Sequence, residues 1–322
     1  MLREAALPGA VGAILARADR DPCPVAGLDA RLFDLFGVLS SPDGDLPVAA
    51  VTRLADMGMV DREWWVRADP VYLEPRRDGL VLHTGLDLSK DEADQLIAEL
   101  EEALAADGWL IKAPNPNRWY LKPVRAAQLT TTPLAAVIGQ NVDSFLPKGP
   151  DAPVWHTRLN EFQILMHTSS VNVARQSQGR LPANSVWFWG GGRLPAAGST
   201  RYTQAWSDEP LALGLASLAS LPSAPIPADA RQWFESAGTG DHLVVLDSVA
   251  AAAQRGDTQG WSEALKKLAV DWIEPLATYV HARALADLTL LADIGPVFHY
   301  RRAHRWRFWK RLPALAGLRG TA

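Results

Sequence analysis

Apolar and polar positions between residues 68 and 123 alternate in short runs that predict strands. Residues 69–73 and 80–83 form two apolar-rich runs, and the turn pair Asp78-Gly79 lies between them. A turn of this composition between two such runs is typical of a β-hairpin. The pattern therefore predicts an antiparallel pair of strands at the start of this stretch.

A helix and two further strands complete the same stretch. Ser89 followed by Glu92 has the capping-box pattern of a helix N-terminus, and Asp107-Gly108 marks the end of the helix. Its apolar stripe consists of Leu96, Ile97, Leu100 and Leu104. Two more strands are then predicted, over residues 109–112 and 118–122, around a Pro-Asn-Pro-Asn turn. The sequence thus predicts a compact α+β unit.

Helices and apolar strands alternate outside this unit. Residues 45–57 predict a helix on its N-terminal side. On its C-terminal side, residues 243–246 and 288–292 predict short apolar strands of the kind that parallel sheets bury on both faces. A helix is predicted over residues 261–276, and Pro275 is expected to kink or stop it. This alternation favours an α/β fold.

The run from residue 171 to residue 195 carries the most specific motif of the chain. It reads Val171-Asn172-x-x-Arg175, then Pro182-Ala183-Asn184, then Trp189-Gly190-Gly191-Gly192-Arg193-Leu194-Pro195. The motif resembles the central signature of the archaeal-type, cofactor-independent phosphoglycerate mutases of the alkaline phosphatase superfamily. The resemblance implies an α/β fold with an alkaline-phosphatase-like parallel-sheet core, reduced in size, and a smaller inserted α+β domain. Residues 1–65 and 183–298 would form the core, residues 66–182 the inserted domain, and residues 299–322 a basic, aromatic C-terminal segment.

The same family transfers a phosphoryl group with two divalent metal ions, aspartate and histidine ligands, and a serine that carries the group. Pro8 occupies the turn where the first metal-binding aspartate is expected, and proline has no group that binds a metal. An Asp-x-x-x-His pattern is expected from Asp247, but Ala251 stands at the histidine position; Asp-His is expected at Asp293, but Ile294 follows it. A two-metal mechanism needs both ions held about 4 Å apart. The resemblance therefore implies a degenerate site with no metal, no cofactor and no catalytic residue.

Composition narrows the class of protein further. The chain has 322 residues, 48% of them apolar and 21% charged, which is ordinary for a globular domain. Cys23 is the one cysteine, which excludes an internal disulfide and suits a reducing cytoplasm. Phosphate-binding glycine loops, the His-Glu-x-x-His zinc motif and the Gly-x-Ser-x-Gly elbow are absent. Pro8 and Gly9 interrupt a signal-like apolar stretch at residues 5–16, so we expect a cytoplasmic protein without a transmembrane segment.

Seven residues of the motif run are candidates for ligand binding. They are Asn172, Arg175, Asn184, Gly190, Gly191, Gly192 and Arg193. The three glycines could present backbone N–H groups to a phosphate or carboxylate, and the arginine after them would add a charge. Glycines at the end of a strand also let the chain turn beside crowded aromatic side chains, which is the interpretation we favour. The two asparagines and Arg175 could line the same crevice, although such side chains usually bond to loops and helix ends.

The C-terminal segment combines cations with aromatic side chains. Seven positive charges follow Asp293 without an acidic residue, which leaves the preceding 293 residues with a net charge of −11 against −4 for the whole chain. The candidates for partner contact are Arg301, Arg302, Arg305, Trp306, Arg307, Trp309, Lys310 and Arg311. A terminal helix that docks its tryptophans on the core would explain the pattern without any partner. A protein partner is the main alternative, ahead of nucleic acid, whose phosphates the acidic body repels, and of a membrane surface.

The order of motifs, from residues 68–71 through the glycine run to the arginine-rich end, is similar to that of the bacterial RpfE-type regulatory proteins. The leading hypothesis is a non-catalytic phosphoglycerate-mutase-like protein that binds another protein, in regulation or in nucleic-acid processing. One alternative is an active, metal-dependent phosphoglycerate mutase or phosphate-ester enzyme whose ligands lie elsewhere in the sequence. The other is a sensor in which Arg175 and Arg193 bind a phosphorylated metabolite.

Overall fold

The structure is a computed structural model that describes residues 9–23, 25, 27–38, 44–58, 61–250, 258–293 and 295–310. The chain divides into two compact units. The unit that we call the terminal unit consists of Met1–Leu35, Thr200–Ala212 and Leu221–Ala322. The unit that we call the central unit consists of Phe36–Ser199 and Leu213–Ser220.

Strands and helices alternate irregularly along the chain. The strands are β1 (Asp19–Asp21), β2 (Trp65–Arg76), β3 (Gly79–His83), β4 (Leu110–Asn115), β5 (Arg118–Lys122), β6 (Ser185–Gly192), β7 (Gln204–Trp206), β8 (Ser223–Ala224), β9 (His242–Val244), β10 (Asp287–Leu291) and β11 (Val297–Arg301). The α-helices are α1 (Gly9–Arg17), α2 (Leu28–Leu35), α3 (Val48–Met57), α4 (Lys90–Ala105), α5 (Leu134–Val137), α6 (Ala152–Thr168), α7 (Ser170–Ser177), α8 (Pro210–Leu218), α9 (Ala230–Ser236), α10 (Thr258–Leu268) and α11 (Glu274–His281). Short 3-10 turns cover Val142–Ser144 and Arg302–Trp306, and a π turn, Ala269–Ile273, joins α10 to α11.

The central unit is built on one antiparallel sheet. Its strands lie in the order β3-β2-β5-β4, and β6 also pairs with β2. The second half of the long strand β2 pairs with β3, and its first half pairs with β5 and β6. Aromatic side chains such as Trp119, Trp155, Phe162 and Phe188 are buried in the core that covers this sheet. The hydrophobic area that they remove from water stabilises the unit.

The local predictions for the central unit are confirmed. Strands β2 and β3 pair as a hairpin with Arg76 opposite Gly79. Helix α4 begins with both capping-box bonds, because Glu92 N donates to Ser89 Oγ at 3.1 Å and Ser89 N donates to Glu92 Oε2 at 2.8 Å. All four residues of the predicted apolar stripe are buried. Gly58, with a φ of 63°, ends α3 by donating its N–H to the Leu54 carbonyl at 2.9 Å.

The terminal unit contains two small sheets of opposite kind. Strands β1, β11 and β10 form an antiparallel sheet, and β8, β7 and β9 form a parallel one. The fold class is therefore mixed α/β with mostly antiparallel pairing, and the predicted parallel-sheet core is confined to three very short strands. The apolar strand predicted at residues 243–246 lies in the parallel sheet as β9. The one predicted at residues 288–292 does not, because β10 pairs antiparallel with β11.

The length of a connection explains this difference. Residues 292–296 alone separate β10 from β11. Antiparallel strands can be joined by so short a segment, whereas parallel neighbours need a crossover of about a dozen residues or more. The apolar composition of a strand does not indicate whether the strand pairs parallel or antiparallel with its neighbour.

The division into units differs from the predicted domain boundaries after residues 65 and 182. Strand β6 falls in the predicted phosphatase-like core, yet it pairs with β2 from Trp65 opposite Gly192 to Val71 opposite Ser185. Both strands therefore belong to one sheet of the central unit. The insertion of one domain into another stays a prediction.

The C-terminal segment differs from its predicted form. Strand β11 runs to Arg301, and the 3-10 turn Arg302–Trp306 follows where an α-helix is predicted. The side chains of Trp306 and Trp309 are 64% and 66% exposed, which disfavours the alternative in which a terminal helix docks them on the core. The predicted helix over residues 261–276 forms, but Pro275 does not stop it: the π turn ends at Ile273, and α11 continues through Pro275 to His281. Pro275 has no N–H for the helical ladder and stands in the first turn of α11, where that N–H has no partner within the helix. No helix in the described ranges is long and apolar enough to cross a membrane.

Candidate functional site

Asn172 and Asn184 hold the loop that leads into β6. Asn172 Nδ2 donates to the carbonyl oxygens of Met166 at 2.6 Å and Ala183 at 2.7 Å, and its Oδ1 accepts from Ala183 N at 2.9 Å. Asn184 Oδ1 accepts from Leu73 N at 2.8 Å, and its Nδ2 donates to Leu73 O at 3.0 Å. The side-chain amide of Asn184 thus extends the pairing of β2 as a neighbouring strand would. Both asparagine side chains are therefore hydrogen-bonded to main-chain groups of the protein.

Arg175 is a buried clamp between α7, α4 and the loop before β6. Its Nε donates to Leu181 O at 2.8 Å, its Nη2 to Leu86 O at 2.5 Å, and its Nη1 to the Glu92 carboxylate at 2.9 Å. The side chain is only 1% exposed. Burial alone would raise the pKa of Glu92, but the bonds from Ser89 and Arg175 outweigh it and lower that pKa. All three guanidinium nitrogens of Arg175 therefore have internal partners.

The glycine run allows β6 to approach helix α3 and Trp64 closely. A Cβ atom on Gly191 would lie 2.5 Å from Trp64 Cζ2, and one on Gly192 would lie 2.6 Å from Pro47 Cβ. Gly190 has a φ of 64°, which is the left-handed region that favours glycine. These positions support the interpretation that the glycines serve packing and a turn of the chain.

The N–H groups of Gly190 and Gly191 are already hydrogen-bonded within the protein. Gly190 N donates to Thr131 Oγ1 at 3.0 Å. The Asp45 carboxylate accepts from Thr131 N at 2.9 Å, from the Thr131 hydroxyl, and from the main-chain N–H of Gly191. Burial raises the pKa of Asp45, and these hydrogen bonds oppose that effect. The Asp45 carboxylate and the Thr131 hydroxyl therefore already accept from two of the three N–H groups that could bind an anion.

The candidate ligand residues do not meet in one crevice. Asn184 precedes the first residue of β6, while Gly190 to Gly192 form its other end. At about 3.3 Å per strand residue, the asparagine and the glycines are roughly 20 Å apart. Arg193 is exposed, and its Nη1 donates to the Arg62 carbonyl oxygen. The structure gives these residues separate positions in place of one anion site.

The described positions at which metal ligands are expected, Asp247 and Asp293, are not part of a group that could hold a metal ion. Asp247 and Asp293 are both exposed. The main-chain oxygen of Asp293 accepts from Arg31 Nε at 3.2 Å, which is a structural contact. Pro8 and Ile294 lie outside the described residues. Across the described ranges, no group of three or more histidine, cysteine, aspartate or glutamate side chains is arranged to hold a metal ion. The residues that the structure describes thus do not supply the ligand set of a two-metal phosphoryl-transfer site.

A buried charged network in the central unit was not predicted from the sequence. Asp69 accepts from Arg67 Nε at 2.9 Å and Nη2 at 2.8 Å, from Trp189 Nε1 at 2.7 Å and from Trp119 N at 3.3 Å. The guanidinium of Arg67 lies 5.1 Å from the centre of the Trp189 ring. One signal was available, because opposite charges two residues apart in a strand point to the same face. The tryptophan of the glycine motif is therefore part of a structural network.

A second part of the network reaches toward the surface. Tyr120 donates its hydroxyl to Asp56 Oδ2 at 2.5 Å, and Arg118 binds the same carboxylate through Nε at 2.8 Å and Nη2 at 2.5 Å. Burial alone would raise the pKa of Asp56, but the bonds from Arg118 and Tyr120 lower it. Burial also raises the pKa of the Tyr120 hydroxyl. The network therefore ties β5 to α3.

Large aromatic side chains are exposed in the C-terminal segment. Trp306, Phe308 and Trp309, which we call the aromatic surface, are 64%, 74% and 66% exposed. The guanidinium of Arg305 lies over the Trp306 ring at 4.7 Å from its centre. Arg307, in contrast to Arg305, is paired with a carboxylate, because its Nη1 donates to Asp19 Oδ1 at 2.5 Å. Several of the residues predicted to contact a partner therefore lie close together in this segment.

The remaining cations of the segment differ in their surroundings. Arg301 and Lys310 are exposed, and Arg302 is half-buried. The positive charge of Arg283 is the main cause that lowers the pKa of Arg302. Arg311 lies outside the described residues. His304, which the sequence did not single out, is buried, and its Nε2 lies 3.3 Å from Asp19 Oδ2.

Comparison with known proteins connects the chain to one group of enzymes. No family model matches the sequence. A 2,3-bisphosphoglycerate-independent phosphoglycerate mutase from Methanosarcina mazei is 29% identical over 113 residues, which are 34% of this chain and 28% of that protein. A probable enzyme of the same name from Geobacter sulfurreducens is 27% identical over 160 residues, which are 48% of this chain and 39% of that protein. This chain is a distant relative of these mutases.

The likeness is partial in both sequence and structure. The matched part of the chain spans less than half the length of the two curated relatives. A cofactor-independent phosphoglycerate mutase from Thermoplasma acidophilum aligns with 92% of this chain and 82% of its own, at a TM-score of 0.40 and 17% identity. A protein from Pyrococcus horikoshii aligns over 92% and 80%, at a TM-score of 0.48 and 11% identity.

Proposed function

We propose that this relative of the phosphoglycerate mutases is non-catalytic and binds a protein partner through the aromatic surface. The exposure of Trp306, Phe308 and Trp309, at 64% to 74%, carries the proposal. Single exposed apolar residues are common, but three large ones within four positions form a patch of the kind that marks an interface. Tryptophan and arginine are also the residues that contribute most to binding at protein interfaces.

The charges around the aromatic surface indicate the chemistry of the partner. Arg301, Arg305 and Lys310 flank the three aromatic side chains, and the preceding 293 residues carry a net charge of −11. A nucleic acid that approached this segment would be repelled by the acidic remainder of the chain. A protein with an apolar pocket and an acidic rim meets the cations without placing a long polyanion against that remainder. The charge distribution therefore favours a protein.

The finer proposal is that the chain is an RpfE-type regulatory protein whose partner acts in regulation or on nucleic acid. The order of its motifs supports this assignment. Two observations weigh against the alternatives. Arg175 is fully engaged inside the central unit, which opposes a metabolite sensor built on it. The described residues do not supply a two-metal ligand set, which opposes an active phosphoglycerate mutase.

Site-specific photo-crosslinking in the native cell tests the proposal. A photoreactive amino acid at Phe308 is expected to give one protein adduct of defined mass. The matched control is Ile164 on α6, an apolar residue of the central unit that is 67% exposed and is not part of the aromatic surface. No adduct of that mass is expected from position 164. The combined change Trp306→Ala and Trp309→Ala should abolish the adduct at 308 and leave the thermal stability unchanged, because these side chains contact mainly solvent.

Two outcomes would contradict the proposed function. Position 308 could give no adduct, or positions 164 and 308 could give the same set of adducts. Either result would mean that the aromatic surface does not select a partner.

A further inference from the structure

Four arginines meet where the 3-10 turn Arg302–Trp306 packs against the ends of α1 and α11. A 3-10 helix has three residues per turn, so Arg302 and Arg305 project from the same side of the turn. Arg17 is the last residue of α1, and Arg283 follows the end of α11 with a φ of 64°. The backbone thus brings cations from three elements of the terminal unit to one place.

Among the described residues, this cluster contains N–H groups without a hydrogen-bond partner and charges without an acidic partner. The Nε atoms of Arg302 and Arg305 are shielded from solvent and have no hydrogen-bond partner within the part of the chain that the structure describes. The charge of Arg283, then burial, then the charge of Arg305 lower the pKa of Arg302. Like charges held together with unpaired, covered donors are unfavourable unless an anion joins them. Arg307, by contrast, has its carboxylate partner in Asp19.

His281 and Tyr300 form the base of the cluster. The Tyr300 hydroxyl lies 2.8 Å from His281 Nε2, and Arg17 donates a hydrogen bond to Tyr300. Burial, followed by the charges of Arg305, Arg17 and Arg302, lowers the pKa of His281. The histidine therefore reports the local positive potential, and it adds a further donor if an anion lets it take up a proton.

We propose that Arg283, Arg302 and Arg305, with Arg17 and His281 behind them, bind a phosphate-type oxyanion. The oxyanion belongs either to a free phosphorylated small molecule or to a phosphorylated side chain of a partner protein. A phosphate group carries up to two charges and three terminal oxygens, which suits several guanidinium groups from different directions. A carboxylate has one charge and would leave the cluster strongly positive. This site goes beyond the proposed function, which requires only the aromatic surface.

Calorimetric titration of the purified full chain at constant ionic strength tests the site. The titrants are inorganic phosphate, phosphoserine and a phosphoserine peptide, each compared with its unphosphorylated or chloride counterpart. The wild-type chain should bind the phosphorylated titrants. The double variant Arg302→Gln and Arg305→Gln should bind at least about tenfold more weakly for each guanidinium lost. The control Arg231→Gln removes an exposed arginine of α9 in the same unit and should bind as the wild type does.

A second measurement keeps the proposal testable if the double variant folds poorly. Phosphate added to the wild-type chain should raise the pKa of His281, followed by NMR of the histidine ring, because it neutralises the nearby arginines. Tighter binding of the peptide than of inorganic phosphate would assign the oxyanion to a partner, and equal binding would assign it to a small molecule. Absence of binding to the wild type, or equal losses in Arg231→Gln, would overturn the site. Neither result would change the outcome expected from the crosslinking test at Phe308, so the two proposals can fail independently.

Discussion

Replacing Asp69 by asparagine removes one negative charge from the most buried ion pair among the described residues of the central unit. The Asp69 carboxylate accepts two bonds from Arg67 and one each from Trp189 Nε1 and Trp119 N. The two charged side chains are 2% and 7% exposed. Asparagine keeps the shape of the residue but presents an NH₂ group to a ring of donors. The guanidinium of Arg67 would then remain buried without its counter-charge.

The expected loss of stability follows from this burial. Removing one partner of a buried ion pair costs about 3–5 kcal/mol, because the remaining charge is left uncompensated. A typical domain has only about 5–15 kcal/mol of total stability. We therefore expect Asp69→Asn to destabilise the central unit by about 3–5 kcal/mol. Adding Arg67→Met should recover part of this loss, since it removes the stranded charge.

Urea unfolding followed by tryptophan fluorescence measures this loss of unfolding free energy. A shift of the unfolding midpoint at an unchanged m-value reports a change in stability. The control is Glu101→Gln, which breaks the exposed pair of Glu101 with Lys112 at 2.8 Å. That change should cost less than about 1 kcal/mol. A loss below about 1 kcal/mol for Asp69→Asn, or no recovery with Arg67→Met, would refute the reasoning, because a buried pair should not behave as a surface pair does.

Three further predictions test local features. Gly191→Ala should destabilise the chain by about 1–3 kcal/mol in urea because its Cβ would overlap the Trp64 ring, whereas Gly12→Ala, with open space around it, should not. Ser89→Ala should cost about 1 kcal/mol of unfolding free energy through loss of the α4 cap; an unchanged urea midpoint would contradict that role. The folded-state pKa of His281 lies below its unfolded value, so the unfolded chain binds more protons and stability should fall as pH drops below about 6.5. In the His281→Gln variant, the urea midpoint should change less between pH 7.5 and pH 5.5 than in the wild type. An equal change of midpoint with pH in both proteins would exclude His281 as the cause of the pH dependence.

Features decided by neighbouring residues were predictable from the sequence. The capping box of Ser89 and Glu92 closes within one helical turn, and the hairpin of β2 and β3 depends on the turn at Asp78. Gly58 ends α3 by the same kind of local rule. Such signals need no knowledge of the remaining chain, so pattern and propensity describe them well.

Features decided by distant contacts were not predictable in the same way. Asn172 and Arg175 were ligand candidates because they are polar residues within a motif. Their actual partners include the main-chain oxygens of Ala183 and Leu181, and no residue type reveals which main chain will approach them. The exposure of Trp306 likewise depends on whether an apolar face is available to cover it. The motif therefore indicated which proteins this chain is related to, whereas the contacts in the structure show what Asn172 and Arg175 bind.

The central claim is that the chain acts by binding and not by two-metal phosphoryl transfer. Metal content of the purified protein, measured together with phosphoglycerate mutase activity in added Mn²⁺ or Zn²⁺, tests it most directly. We expect no stoichiometric metal, no thermal shift with either ion and no activity. About two bound ions per chain, with activity that a chelator abolishes, would contradict it.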